Sequence, residues 1–142
     1  MSPLEHRARL FLWGMCPTYV VYFALQVVAP PWLTTTLARL ACLAAAAGVH
    51  ASVYVIGWLA VARKERGLGL LADERDRAIE AHATRIAYSV LLIGTVLVGV
   101  IMPFNQGGWR IVNGALLAIV LAEATRNLLI VRGYLGTPRV AL

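Results

Sequence analysis

The stretch IVNGALLAIVLAEATRNLLIV, residues 111–131, decides the fold. A helix rises about 1.5 Å per residue, so about 20 apolar residues cross about 30 Å of hydrocarbon. This stretch is long enough, yet it carries Glu123, Arg126 and Asn127. A charged group at that depth costs about 2.5–3.5 kcal/mol on insertion scales, so it turns toward protein or water and usually has a task. Three more apolar runs precede it, at about residues 10–29, 38–62 and 86–102. The chain therefore reads as one domain, residues 1–142: an all-α integral membrane bundle of four transmembrane helices, with a polar loop and helix extension at 63–85.

Composition supports that reading. Of 142 residues, 60% are hydrophobic and only 14% are charged, against roughly 25% charged in a typical soluble domain. The mean hydropathy is +0.73. A soluble fold with this balance would expose large apolar patches and aggregate. The formal charge is +6 and the pI about 10.0, but the basic residues flank the apolar runs and are not interleaved with stacking aromatics. Topology accounts for them, and nucleic acid is not an expected partner.

The first run follows Arg7 and Arg9 in the manner of a signal peptide. It is too long for one, and Val27-x-Ala29 precedes Pro30 and Pro31, a poor cleavage site, so it reads as a retained helix. Pro17 removes a backbone hydrogen bond and should kink that helix near Trp13. Pro30-Pro31-Trp32 makes a turn, and Thr34, Thr35 and Thr36 offer an N-cap for the second helix. Within that helix Ala44, Gly48 and Ser52 repeat at four-residue spacing, a stripe that lets another backbone approach closely, inside the chain or between chains. Asp73 is a fair N-cap, with Glu74 and Asp76 in the first turn where the helix dipole favours acids. No breaker lies between Asp73 and Met102, so one continuous helix is expected there, soluble at its start and transmembrane from about Ile86.

Orientation follows from the Lys and Arg distribution. Arg7, Arg9, Arg63, Lys64, Arg66, Arg75, Arg77, Arg85, Arg132 and Arg139 fall on one side, and Arg39 and Arg110 on the other. The positive-inside rule then puts both termini and the long loop in the cytoplasm. Cys16 and Cys42 fall at different depths of successive spans, too far apart for a disulfide, which needs Cα atoms within about 7 Å. No Cys/His spacing suggests a metal, and no cofactor is expected.

Glu123 lies about 12 Å from the cytoplasmic end of its span by helical rise. Arg126 follows at i+3, side by side with it. One reading is a neutralised pair with Arg126 snorkelling to the headgroups; the other is a proton-binding carboxylate or counter-charge in a cavity. His50 sits near the middle of the second span, with Arg39 eleven residues before it and Tyr54 four after, roughly on one face. Its depth is close to that of Glu123. Haem is disfavoured because no second His lies at that depth. In the extension, Asp73, Arg77, Glu80 and Thr84 form a polar stripe, beside an apolar stripe of Ile79, Ala83 and Ile86. The polar stripe reads either as a solvated face or as a docking face for the other cytoplasmic termini or for a soluble partner. No nucleophile elbow, phosphate loop or paired-carboxylate signature is present.

Asp73-Glu74-Arg75-Asp76, Ile79-Glu80, Ala83, Arg85-Ile86 and Tyr88 resemble the signature of a family of small, uncharacterised prokaryotic four-helix membrane proteins. Glu123 and Arg132-Gly133-Tyr134 loosely match the last span of that family. The resemblance implies a four-helix bacterial inner-membrane protein and no established activity.

Two functions follow as expectations. The first is a non-catalytic sensory, regulatory or accessory module whose helix extension docks a cytoplasmic protein. The second is a small proton-coupled transporter or channel built on Glu123, with the helix number of the small multidrug exporters but no acid in the first span. An enzyme acting on lipid or quinone through Arg39, His50 and Tyr54 ranks below both, and the Glu, Arg and Asn pattern of four-helix glutathione-dependent enzymes is missing from the second helix. Expected partners are the lipid bilayer, a second copy or another membrane protein, and a soluble cytoplasmic protein.

Overall fold

The computed structural model describes residues 3–65 and 74–135. Four long helices account for most of them: α1 Pro3–Val28, α2 Thr36–Glu65, α3 Glu74–Val96 and α4 Gly108–Leu135. Each, with α3 taken on through Phe104, is long and apolar enough to cross a membrane. The proposed N-cap at Asp73 lies outside the described residues.

Local chemistry sets the helix ends. The polar start expected before the first span is itself helical, so Glu5 falls in the first turn of α1, where the dipole favours it. It is buried and accepts from Arg9 at 2.7 Å. α1 runs unbroken through Pro17 and stops before the two prolines. Ala29 closes it with a φ of 45°, the left-handed position that glycine usually takes at a helix end. A short 3-10 turn, Pro31–Leu33, leads to α2. There the Thr35 hydroxyl accepts from the Ala38 N–H at 3.2 Å, the N-cap its composition foretells.

The third helix departs from the single α-helix expected up to Met102. After Val96 it opens into one π-helical turn, Leu97–Ile101, then tightens into a 3-10 turn, Met102–Phe104. Pro103 is the cause. It donates no N–H, and its ring would strike the carbonyl of Gly99 in a regular α-helix, so the turn before it widens. α4 starts at Gly108 and carries on through Arg132, Gly133 and Tyr134 to Leu135.

The helices pack in the order α2, α1, α4, α3. None of the most apolar window of α2 is buried, and 6% of that of α3, against 22% each for α1 and α4. The two central helices thus hold the two outer ones. The pairs are antiparallel. A Cβ on Gly14 would meet Val53, and one on Gly57 would meet Leu10, four residues on in α2 and four back in α1. Gly94 stands against Ala118 and Gly133 against Ile79, so α3 and α4 run oppositely as well. The start of α1, the end of α4, the end of α2 and the start of α3 therefore share one end of the bundle, here the terminal end. The turns at Pro30 and Gln106 form the other.

Two clusters make the core. Met15, Tyr19 and Tyr22 of α1 pack on Ala46 of α2 with Leu116, Val120 and Ala124 of α4. Nearer the terminal end Ala8, Ala83 and Ile130 join α1, α3 and α4. Tyr22 donates to Asn113 Oδ1 at 2.8 Å and Trp109 Nε1 to Gln26 Oε1 at 3.1 Å, tying α1 to α4 at the turn end. The Ala44, Gly48 and Ser52 stripe is not part of this packing. All three residues are exposed, and nothing lies within 4 Å of a Cβ placed on Gly48. Close approach of α1 and α2 runs instead through Gly14 and Gly57. Outward faces are apolar: Trp13 is 80% exposed, Val27 85% and Phe104 85%.

Candidate functional site

In the terminal half of the bundle, residues from all four helices enclose a cavity of about 500 Å³. α1 supplies Leu4, Arg7, Ala8 and Phe11, and α2 supplies Tyr54. Glu80 comes from α3, and Glu123, Arg126, Asn127 and Ile130 from α4. On α4 the four lining positions follow i, i+3, i+4, i+7, one face of a helix. The α1 residues repeat that spacing. The cavity is thus where two helical faces of mixed polarity meet.

The expected pairing of Glu123 with Arg126 is not made. Arg126 crosses to α3, donating from Nη2 to Glu80 Oε1 at 2.5 Å and from Nε to the Thr84 hydroxyl at 3.3 Å. Glu80 and Thr84 lie one turn apart on α3, so the planar guanidinium fork meets both. These two members of the proposed docking stripe are therefore engaged inside the molecule. Arg77 stays exposed, and Asp73 lies outside the described residues. Neither ion pair found among the described residues, Arg9–Glu5 or Arg126–Glu80, includes Glu123. Asn127 is buried and its Nδ2 donates to the Glu123 backbone carbonyl at 2.8 Å, a contact that turns its amide back along α4.

His50 stands beside this cavity. Its ring is held edge-on by Phe11 at 4.8 Å and by Tyr19 at 5.6 Å. Phe11 also meets Tyr54 at 5.4 Å, so one aromatic ring of α1 bridges two positions one turn apart on α2. The His50 Nε2 is buried with no hydrogen-bond partner, an uncommon state for a polar atom inside a protein. Phe11 of α1 thus stands between the imidazole of α2 and the cavity that Glu123 of α4 lines.

Arg39 is not part of the site. It lies in the first turn of α2 at the turn end, donating from Nε to the Leu33 carbonyl at 3.0 Å, with its guanidinium over the Trp109 ring at 5.9 Å. An Arg39, His50 and Tyr54 headgroup clamp is therefore not assembled, since about 16 Å of helix separates Arg39 from His50. Arg7, Phe11 and Glu80 were absent from the membrane-embedded candidates. The signal for the first two was present: Leu4, Arg7, Ala8 and Phe11 follow the helical repeat across the junction of the polar start and the first span. Tyr134 donates to Asp76 Oδ1, a further tie between α4 and α3.

Among the described residues no group of three His, Cys, Asp or Glu side chains is placed to hold a metal ion. No known protein family, curated protein or solved structure matches the chain. The chemistry of the site rests on its own geometry.

Proposed function

We propose that this chain is a small proton-coupled membrane transporter. Glu123 alternately holds a proton and the cationic group of a solute. The observation that carries this reading is the diversion of Arg126 to Glu80, which leaves a carboxylate on a cavity wall without an ion pair among the described residues. A carboxylate in an apolar span that is not spent on a neighbouring cation exchanges partners at low cost, whereas a neutralised pair does not. Phe11 and Tyr54 give the cavity aromatic surface suited to a cation, and His50 offers a second proton acceptor beside the cavity.

The membrane setting is part of the proposal. Four apolar helices with outward Trp, Val and Phe side chains need hydrocarbon around them. The Lys and Arg asymmetry supports cytoplasmic termini. The resemblance of residues 73–88 supports a bacterial inner membrane. In this orientation the cavity lies in the cytoplasmic half of the bilayer.

The test is proton flux in proteoliposomes reconstituted with the purified protein, driven by a panel of lipophilic cations. The protein should release an imposed proton gradient when a cation is supplied, and Glu123→Gln should not. Equal flux from both proteins would remove the reading. A second reading, a regulatory module docking a soluble partner, draws on exposed Glu74, Arg75, Arg77 and His82 at the start of α3. Loss of partner recovery on reversing Arg75 and Arg77 to Glu, with flux absent from the parent protein, would favour it.

A further inference from the structure

A second concavity lies outside the bundle, on the groove between α3 and α4. Its volume is about 710 Å³, and Arg77, Ala81, Thr84, Arg85, Tyr88 and Arg126 line it with Glu80. Glu80, its one acid, is taken by Arg126. Arg77 and Arg85 are exposed and belong to neither ion pair found among the described residues. They flank Ala81 at one turn to either side, with Cβ atoms about 6 Å from its own. Ala81, exposed between them, brings only a methyl group to the groove. Two cations one turn from a small residue make a cradle for an anion bearing several oxygens, and guanidinium binds phosphate oxygens in forked pairs.

The groove continues along α3 onto apolar surface. Tyr88 is 64% exposed, Leu92 48% and Ile93 61%. The charged end is the terminal end and the apolar side chains follow toward the middle of the helix. That order matches a lipid, headgroup first and acyl chains after. A free phosphate would use the first part alone.

We propose that this groove is a binding site for the phosphate headgroup of an anionic phospholipid, held by Arg77 and Arg85 with its chains over Tyr88, Leu92 and Ile93. The proposal uses the membrane setting given above but not the transport activity, so it stands or falls apart from Glu123. Basic clusters beside membrane helices on the cytoplasmic face attract anionic lipids in this way. Because Arg126 and Glu80 belong to both concavities, their ion pair is the wall between lipid groove and inner cavity.

The test uses the full chain in neutral detergent, with bound lipid counted by native mass spectrometry. Phosphatidylglycerol should be retained and phosphatidylcholine of the same acyl chains should not. The double variant R77Q/R85Q should lose phosphatidylglycerol affinity by about tenfold or more. R110Q, at the opposite end, should keep it. Inorganic phosphate or a penta-glutamate peptide should not displace the lipid at equal concentration. Equal retention of the two lipids, equal binding by R77Q/R85Q, or displacement by either soluble anion overturns the proposal. Should R77Q/R85Q fail to fold, R77K/R85K keeps the charge, and the two-lipid comparison on the unmodified protein decides alone.

Discussion

Arg126 of α4 holds Glu80 of α3 at 2.5 Å while Glu123, three residues before it on the same helix, is left out of the pair. Local spacing favours Glu123, since i,i+3 neighbours meet without any chain closure. The choice of Glu80 reflects what lies beside it. Thr84, one turn on, takes the Nε–H, so two donors of one planar group are satisfied together. The pair links the outer helix α3 to the central α4 and leaves Glu123 outside both ion pairs found among the described residues.

A double-mutant cycle on E80Q and R126Q should return a coupling of roughly 0.5–1 kcal/mol, measured by thermal unfolding in detergent. The value is modest because the two side chains are 45% and 31% exposed. E80Q alone should cost less than R126Q, because Arg126 can then swing back to Glu123. A cycle with no coupling would mean that the pair does not hold the outer helix.

Glycines separate packed faces from open ones. A Cβ on Gly94 would come within 2.5 Å of the Ala118 Cβ and 3.4 Å of its Cα, so α3 and α4 would have to part. Gly94→Ala should destabilise by about 1–3 kcal/mol. Gly48→Ala meets nothing within 4 Å and should stabilise by about 0.5–1 kcal/mol through helix propensity. Unfolding of both variants under the same detergent conditions checks the contrast; the reverse order would mean that α2 packs through its outward stripe.

The same contrast marks how far residues alone could be read. Apolar run length, the paired prolines and the Thr35 cap locate four helices, because each acts within a few residues. Neighbour choice is different. α2 is apolar nearly all round, so its hydrophobicity has no face to offer. The Ala44, Gly48 and Ser52 repeat marks small residues without saying what they touch, and Gly14 and Gly57 carry the contact although they fall in no such repeat. Glu80 became part of the site because Arg126 reaches it across 46 positions, a separation no local pattern encodes. The π-helical turn was readable in principle from Pro103, whose clash falls four residues upstream.

Ala29 sits at φ 45° immediately after α1. A left-handed conformation costs a residue with a Cβ roughly 1–2 kcal/mol, and glycine escapes that cost. Ala29→Gly should therefore raise stability by about 1 kcal/mol, less the added freedom of the unfolded chain. The measurement is the unfolding midpoint in detergent. A lower midpoint would mean that the backbone relaxes at this turn.

His50 separates stability from activity. Its imidazole packs edge-on against Phe11 and Tyr19, contacts that a somewhat larger phenyl ring can also make. Its buried Nε2 has no hydrogen-bond partner, and such an atom costs roughly 1–3 kcal/mol. His50→Phe should thus unfold at the same or a higher temperature than the parent. The variant also removes the ionisable group that stands beside the cavity lined by Glu123, on the far side of Phe11. If the cavity exchanges protons through His50 and Glu123, cation-driven proton flux in proteoliposomes should fall even as the fold gains. A residue kept only for packing would show the gain with flux unchanged. A residue needed for both would show loss of each. The combination of higher melting temperature and lower flux is specific to a polar group retained for exchange at the expense of stability.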